Sequence, residues 1–270
     1  MKRFCILLCI LLLPSCRPAD LPAPADSIFE TTAAETETLP AEAGAFVYPL
    51  AEIPGEAVSL PACIEKTIPP ESVLQVLCST EQDGISVSVF VTADTEFYAA
   101  VKGEEEYTAF HFIGDSSFPY PSSVALEPFS GVLGKSGVRL SYSVGASAAN
   151  VLFFTFSDGQ PTLLAQCNTA AIPHGNLLIE QYGGMGMQIN LYRRTQEGLA
   201  RLNLNDYLQS VYPEAHQIYP YFHEDRFCGE HPGLLEIQLT DTDWSYRTVS
   251  GYFTDDALVL LPLLTTVSDP

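Results

Sequence analysis

The sequence predicts an all-β fold, an antiparallel meander of blade-like repeats, with a β-sandwich as the alternative architecture. Three observations carry that reading. From residue 46 onward apolar side chains recur at every second position rather than every 3.6, most cleanly in Ile85-Ser86-Val87-Ser88-Val89-Phe90-Val91-Thr92, where β-branched residues line one face. Turn residues punctuate these runs at short spacing. A unit also repeats: Gly137, Leu140 and Gly145 recur 38 residues on as Gly175, Leu178 and Gly183, and Gly159 and Leu163 recur 39 residues on as Gly198 and Leu202.

Taken in order, the chain opens with Lys2 and Arg3 before the apolar run Phe4–Leu13, a basic segment and an apolar core of signal-peptide length, too short to span a bilayer. Residues 1–15 are therefore predicted as an export signal. Residues 17–45 hold eight Ala, four Pro, four Thr and six acids against the single Arg17, with few large apolar groups. Such a stretch buries too little to offset its backbone entropy and is predicted to be a solvated tether.

Residues 46–270 are predicted as one mostly β domain. Its first meander runs from Val73–Leu77 through the turn Gln82-Asp83-Gly84 to 85–92, then Phe97–Val101 and Tyr107–Ile113 around Lys102-Gly103-Glu104. A second unit follows, with Val138, Leu140, Tyr142 and Val144 on one face, a turn through Gly145–Ala149, Val151–Phe156, the turn Asp158-Gly159 and Thr162–Ala165. After the third, repeated unit comes one short helix, Leu204–Tyr212, with Asn203 or Asn205 as cap and Pro213 as stop. Tyr212–Pro232 is aromatic and histidine-rich and is predicted to be a long loop packed on the sheet. A fourth unit then runs Leu234–Leu239, Asp241-Thr242-Asp243, Tyr246–Phe253, Asp255-Asp256 and Leu258–Leu261. Units of three or four strands at near-regular spacing are how propellers and related meanders bury one sheet on another.

Two stretches resemble known families closely enough to imply an anchor or an architecture. Leu13-Pro14-Ser15-Cys16 resembles the lipobox of bacterial lipoproteins, with an aliphatic residue at −3, a small one at −1 and the cysteine; Pro14 stands where a small residue is usual. The resemblance covers about sixteen of 270 residues. It implies that Cys16 is diacylated after cleavage and that the lipid holds the mature chain at the bacterial cell membrane, facing the exterior. Gly175-Asn176-Leu177-Leu178-Ile179-Glu180-Gln181-Tyr182-Gly183-Gly184, followed by Ile189-Asn190-Leu191-Tyr192-Arg193, resembles a degenerate blade of the integrin-type FG-GAP repeat. That likeness implies an incomplete or small β-propeller-like array. The family's D-x-D-x-D-G calcium loop does not occur, so calcium is not carried over.

Charge narrows the partners. Twelve basic residues against 33 acidic ones give a net charge of −21, which disfavours nucleic acid. Loss of Lys2 and Arg3 with the signal leaves ten against 33, or −23. So anionic a chain is repelled by anionic headgroups, and attachment falls to the lipid.

Seven cysteines sort by place: Cys5 and Cys9 in the signal, Cys16 for the lipid, and Cys63, Cys78, Cys167 and Cys228 in the domain, where three pairings or free thiols are all open. Other fragments carry less chemistry. Gly114-Asp115-Ser116 resembles the nucleophile block of GDSL-type hydrolases, but the Gly-x-Asn-Asp and Asp-x-x-His partners of that family do not occur. Gly183-Gly184-Met185-Gly186 precedes a strand and offers no helix N-terminus to a phosphate. His223, Cys228 and His231 have a spacing open to zinc, yet loop histidines more often bond to solvent or backbone, and no metal or cofactor is predicted. In Asp241-Thr242-Asp243, Tyr246 stands where a calcium loop needs glycine.

The function predicted is a membrane-anchored binding or interaction module for a protein or glycan; the alternative is an extracellular hydrolase with an unrecognised catalytic site. Candidate ligand-binding residues are Tyr219, Tyr221, Phe222 and His223, in a long insertion that the repeat pattern does not need for its core, and Trp244 and Tyr246, flanking a turn; their rings offer amphipathic surface beside polar groups.

Overall fold

The computed structural model describes residues 44–115, 123–144, 149–169, 171–183 and 187–262. The predicted signal, Cys16, most of the 17–45 tether, Ser116, most of the Gly145–Ala149 turn and Gly184-Met185-Gly186 lie outside the described residues.

Four antiparallel units follow one another, each a sheet of its own. The first is β4 (Val73–Gln82), β5 (Ile85–Thr92), β6 (Phe97–Lys102) and β7 (Tyr107–Gly114); the second is β8 (Ala125–Val132), β9 (Lys135–Ser143), β10 (Ala149–Ser157) and β11 (Gln160–Cys167). The third is β12 (Ala171–His174), β13 (Leu177–Tyr182), β14 (Gln188–Thr195) and β15 (Gly198–Asn203). After helix α1 (Leu204–Val211) comes the fourth, β16 (Gln217–Cys228), β17 (His231–Thr240), β18 (Tyr246–Phe253) and β19 (Ala257–Leu260). Three short leading strands widen these sheets: β1 (Phe46–Pro49) pairs with β19, β2 (Glu56–Ala57) with β15, and β3 (Lys66–Ile68) with β7. The fold is all-β, with one short helix.

Local chemistry explains the hairpins. Asp83-Gly84 closes β4–β5 and Asp158-Gly159 closes β10–β11, each with both residues at positive φ, the geometry whose twist matches that of the flanking strands. Helix α1 starts where Asn203 Oδ1 accepts the backbone N–H of Asp206, and it ends at Tyr212, just before Pro213.

Alternating faces then stack the sheets in chain order. Val87, Val89 and Phe110 of the first sheet pack on Leu140, Leu152 and Phe154 of the second. Val151, Phe153 and Ala165 on the other side of the second meet Leu178 and Tyr192 of the third. The largest core lies between the third and fourth sheets, with Ile179 and Leu191 against Phe222, Leu235 and Ile237, closed by Leu204 and Leu208 of α1. The outer faces of the first and fourth sheets carry separate small clusters, and among the described residues no shared core joins them. The array is an open stack.

Two expectations are corrected. Tyr212–Pro232 is not a long loop, because Gln217–Cys228 forms β16 and pairs with β17 over nine register positions. Ile218, Pro220 and Phe222 face the core, while Tyr219, Tyr221 and His223 face away; a bulge between His223 and Phe227 absorbs Glu224, Asp225 and Arg226. Pro220 disguised the strand, but β16 is an edge, where a missing N–H costs nothing in the ladder. The same holds for Pro128 in β8 and Pro173 in β12, strands that composition hid.

The second correction concerns the repeat. Leu140 and Leu178 are both fully buried and both face the preceding sheet. Leu163 and Leu202 face opposite ways, since Leu163 packs toward the first sheet and Leu202 toward the fourth. Between the β10–β11 and β14–β15 hairpins the structural offset is 38, which pairs Leu163 with Arg201; between β9 and β13 it is 40, because Phe154 pairs with Val138 and Tyr192 with Leu178. Gly137 and Gly175 also do different jobs: Gly137 lies in β9, where a Cβ would stand 1.9 Å from the Phe154 carbonyl oxygen, whereas Gly175 sits in a turn at φ +53°.

Candidate functional site

Strand register exposes where the third unit departs from the second. On the face turned to the preceding sheet, the second unit places Leu140, Tyr142, Leu152, Phe154 and Leu163, all buried in an apolar core. The equivalent positions of the third unit are Glu180, Tyr182, Asn190, Tyr192 and Arg201, with Leu178 at the position of the buried Val138. Leu178 and Tyr192 keep the packing role. Glu180, Asn190 and Arg201 do not.

Register brings these side chains together on one face. Glu180 lies opposite Asn190, which lies opposite Asn203; Tyr192 lies opposite Arg201, which lies opposite Glu56 of β2. Glu180 is completely buried. Its Oε1 accepts the backbone N–H of Asn168 at 2.6 Å, and its Oε2 accepts Asn190 Nδ2 at 3.0 Å and the Tyr192 hydroxyl at 2.8 Å. A buried carboxyl is tolerated when its lone pairs are used, and three donors use them here. Burial first, and then neighbours including the Glu180 carboxyl, push the Tyr182 and Tyr192 phenols up, so both stay neutral hydroxyls.

Two hollows adjoin this network. A hollow of about 700 Å³ has Tyr182, Gln188, Asn190, Asn203 and Arg201 on its sheet side and Asp206, Tyr207 and Ser210 of α1 on the other. A second, of about 340 Å³, lies between Gln166 and Asn168, the 57–61 segment, and Tyr192. Both hollows are lined by Glu56 and Arg201, whose carboxylate and guanidinium pair at 3.0 Å. Both partners are largely exposed, so the pair contributes at most about 1 kcal/mol to stability. Its geometric effect is to stand between the two hollows. Asn190 lines the large hollow while its Nδ2 donates to Glu180, so the side chain is held by a buried group.

The six aromatic and histidine candidates divide. Phe222 is buried in the core between the third and fourth sheets. Tyr219, Tyr221 and His223 line the opposite face of β16: the Tyr219 hydroxyl donates to Gln217 Oε1, the Tyr221 and His223 rings lie 4.4 Å apart, and His223 Nε2 is 3.7 Å from Glu236. Trp244 and Tyr246 are exposed about the β17–β18 turn, with Trp244 edge-on to His216. None of the six lines the cleft. Sequence reading missed the cleft because Glu180, Asn190 and Arg201 fall in ordinary strand positions, and only comparison of the two units in their hydrogen-bond register marks them.

The remaining candidates are placed as follows. Cys63, Cys78, Cys167 and Cys228 are free thiols, and burial pushes each one's pKa up, away from the nucleophilic thiolate. Cys228 is buried and His231 stacks on Tyr252 at 3.8 Å; among the described residues no three His, Cys, Asp or Glu side chains gather for a metal. Asp241-Thr242-Asp243 is a turn, where Asp243 Oδ1 accepts the Ser245 N–H and hydroxyl.

No protein-family model, curated protein sequence or solved structure matches the chain.

Proposed function

We propose that the chain is a lipid-anchored extracytoplasmic binding module, held at the bacterial cell membrane through Cys16 and facing the exterior, with a protein or glycan as its ligand. Anchoring is supported by the signal-like residues 1–15 and the Leu13–Cys16 motif. The binding reading is carried by one observation: the seam between the second and third sheets is lined by hydrogen-bonding groups at positions that the preceding unit fills with core. Burying a carboxyl costs several kcal/mol before its hydrogen bonds form, and an apolar residue of similar size would pack a purely structural seam without that cost. A strongly anionic chain argues against nucleic acid as the ligand.

Two measurements test the proposal. Labelled palmitate enters the wild-type protein and not the Cys16→Ala variant; equal labelling of both overturns the anchoring. For binding, full-length protein is screened for thermal stabilisation by soluble peptides and glycans. At least one ligand raises the melting temperature of the wild type and not of Ser210→Trp, which fills the cleft from the exposed side of α1; stabilisation of both alike, or of neither, overturns the reading.

A further inference from the structure

We propose that the cleft takes a neutral oligosaccharide, laid across both hollows with the Glu56–Arg201 pair beneath it. The inference rests on the binding-module reading and names its ligand class. The large hollow combines planar amides, Gln188 and Asn190, with two phenol rings, Tyr182 and Tyr207. Amides present a donor and an acceptor in one plane, which matches vicinal hydroxyls of a sugar, and aromatic rings offer the flat apolar surface on which the C–H face of a pyranose rests. Volume agrees: about 700 Å³ and about 340 Å³ separated by one ion pair suit consecutive rings of a chain rather than one compact molecule.

Charge decides against the competing ligands. The large hollow carries Glu56 and Asp206 against Arg201 alone, and Arg201 is already paired with Glu56. An anionic ligand therefore meets a net negative site on a chain of charge −21. The Asn190 amide is preorganised, because Glu180 holds its Nδ2 at 3.0 Å, so little side-chain entropy is lost when the amide bonds a sugar hydroxyl.

The test is calorimetric titration of full-length protein in detergent with neutral tetrasaccharides (β-1,4-linked glucose, β-1,4-linked N-acetylglucosamine and β-1,4-linked mannose), beside tetragalacturonate and a tetra-alanine peptide. At least one neutral tetrasaccharide binds, and its affinity falls tenfold or more in Ser210→Trp and in Gln188→Ala, both exposed positions whose replacement leaves the Glu180 network and the melting temperature intact. Binding lost in Trp244→Ala but kept in Ser210→Trp places the sugar on the fourth sheet and overturns the proposal. Tetragalacturonate or peptide binding that Ser210→Trp abolishes, with no neutral sugar bound, overturns the ligand class while leaving the binding module standing. No binding by any of the five, with the broader screen of peptides and glycans also empty, overturns both.

Discussion

Glu180 shows how a single buried polar residue organises its surroundings. Its two oxygens take donors from the end of β11, from β14 and from the neighbouring Tyr192, so its removal leaves a backbone N–H, an amide and a phenol without partners in a closed space. Each orphaned group costs about 1–3 kcal/mol. Glu180→Ala is expected to lose about 4 kcal/mol in a urea titration, and Tyr192→Phe on that background to lose much less than it does alone, since both remove the same bond. His111 supplies a pH dependence of known sign. It lies between the first and second sheets, 3.2 Å from the Tyr142 hydroxyl, and burial pushes its pKa down to about 4 from the ordinary 6.5. The unfolded chain then takes up a proton near pH 6.5 that the folded chain refuses. The stabilisation is complete above about pH 6.5 and is lost as pH falls toward 4, amounting to about 3 kcal/mol. Stability measured from pH 7 to pH 4 therefore declines more steeply for the wild type than for His111→Gln; parallel profiles would sink the assignment.

Among the elements, the hairpins and close contacts separate two uses of glycine. At Gly84 a positive φ is required but a Cβ has open space, so Gly84→Asn, which tolerates the left-handed region, is expected to cost under about 1 kcal/mol. At Gly137 the dihedral is ordinary and the obstacle is the β10 backbone, which a Cβ would meet at the Phe154 carbonyl. Gly137→Ala must displace a strand that is buried on both faces and is expected to cost about 3 kcal/mol or more, read from paired thermal melts. The strands legible in the sequence, among them β5, β6, β7, β10, β14 and β18, are those whose side chains alternate cleanly or run continuously apolar. Among the strands that were not legible, β1, β2 and β3 are too short to show a period, and β8, β12 and β16 contain Pro128, Pro173 and Pro220 at a sheet edge, where the ladder asks nothing of the proline nitrogen.

For the whole molecule, stacking in chain order gives a nearly one-dimensional array, in which each sheet is stabilised by its neighbours. The seam between the second and third sheets is the weak joint, because polar groups replace part of its core. Leu178 is the fully buried leucine that this joint retains. Leu178→Ala is expected to cost about 2–5 kcal/mol and to split unfolding in denaturant into two steps, with Trp244 fluorescence following the fourth sheet and far-ultraviolet dichroism showing an additional transition. Coincident transitions by the two probes would show that the joint is not weak.

The sequence by itself determined the all-β class, the four units, the capped helix and the strongly anionic surface, because period, turn chemistry and charge are local properties written along the chain. Tertiary structure decided which face of each strand is core. The 38- and 39-residue matches look alike as letters, yet one residue of shift turns a side chain to the other face, and that parity is set only by pairing across the sheet. It also decided the site: Glu180, Asn190 and Arg201 lie on three different strands, and hydrogen-bond register alone brings them to one face.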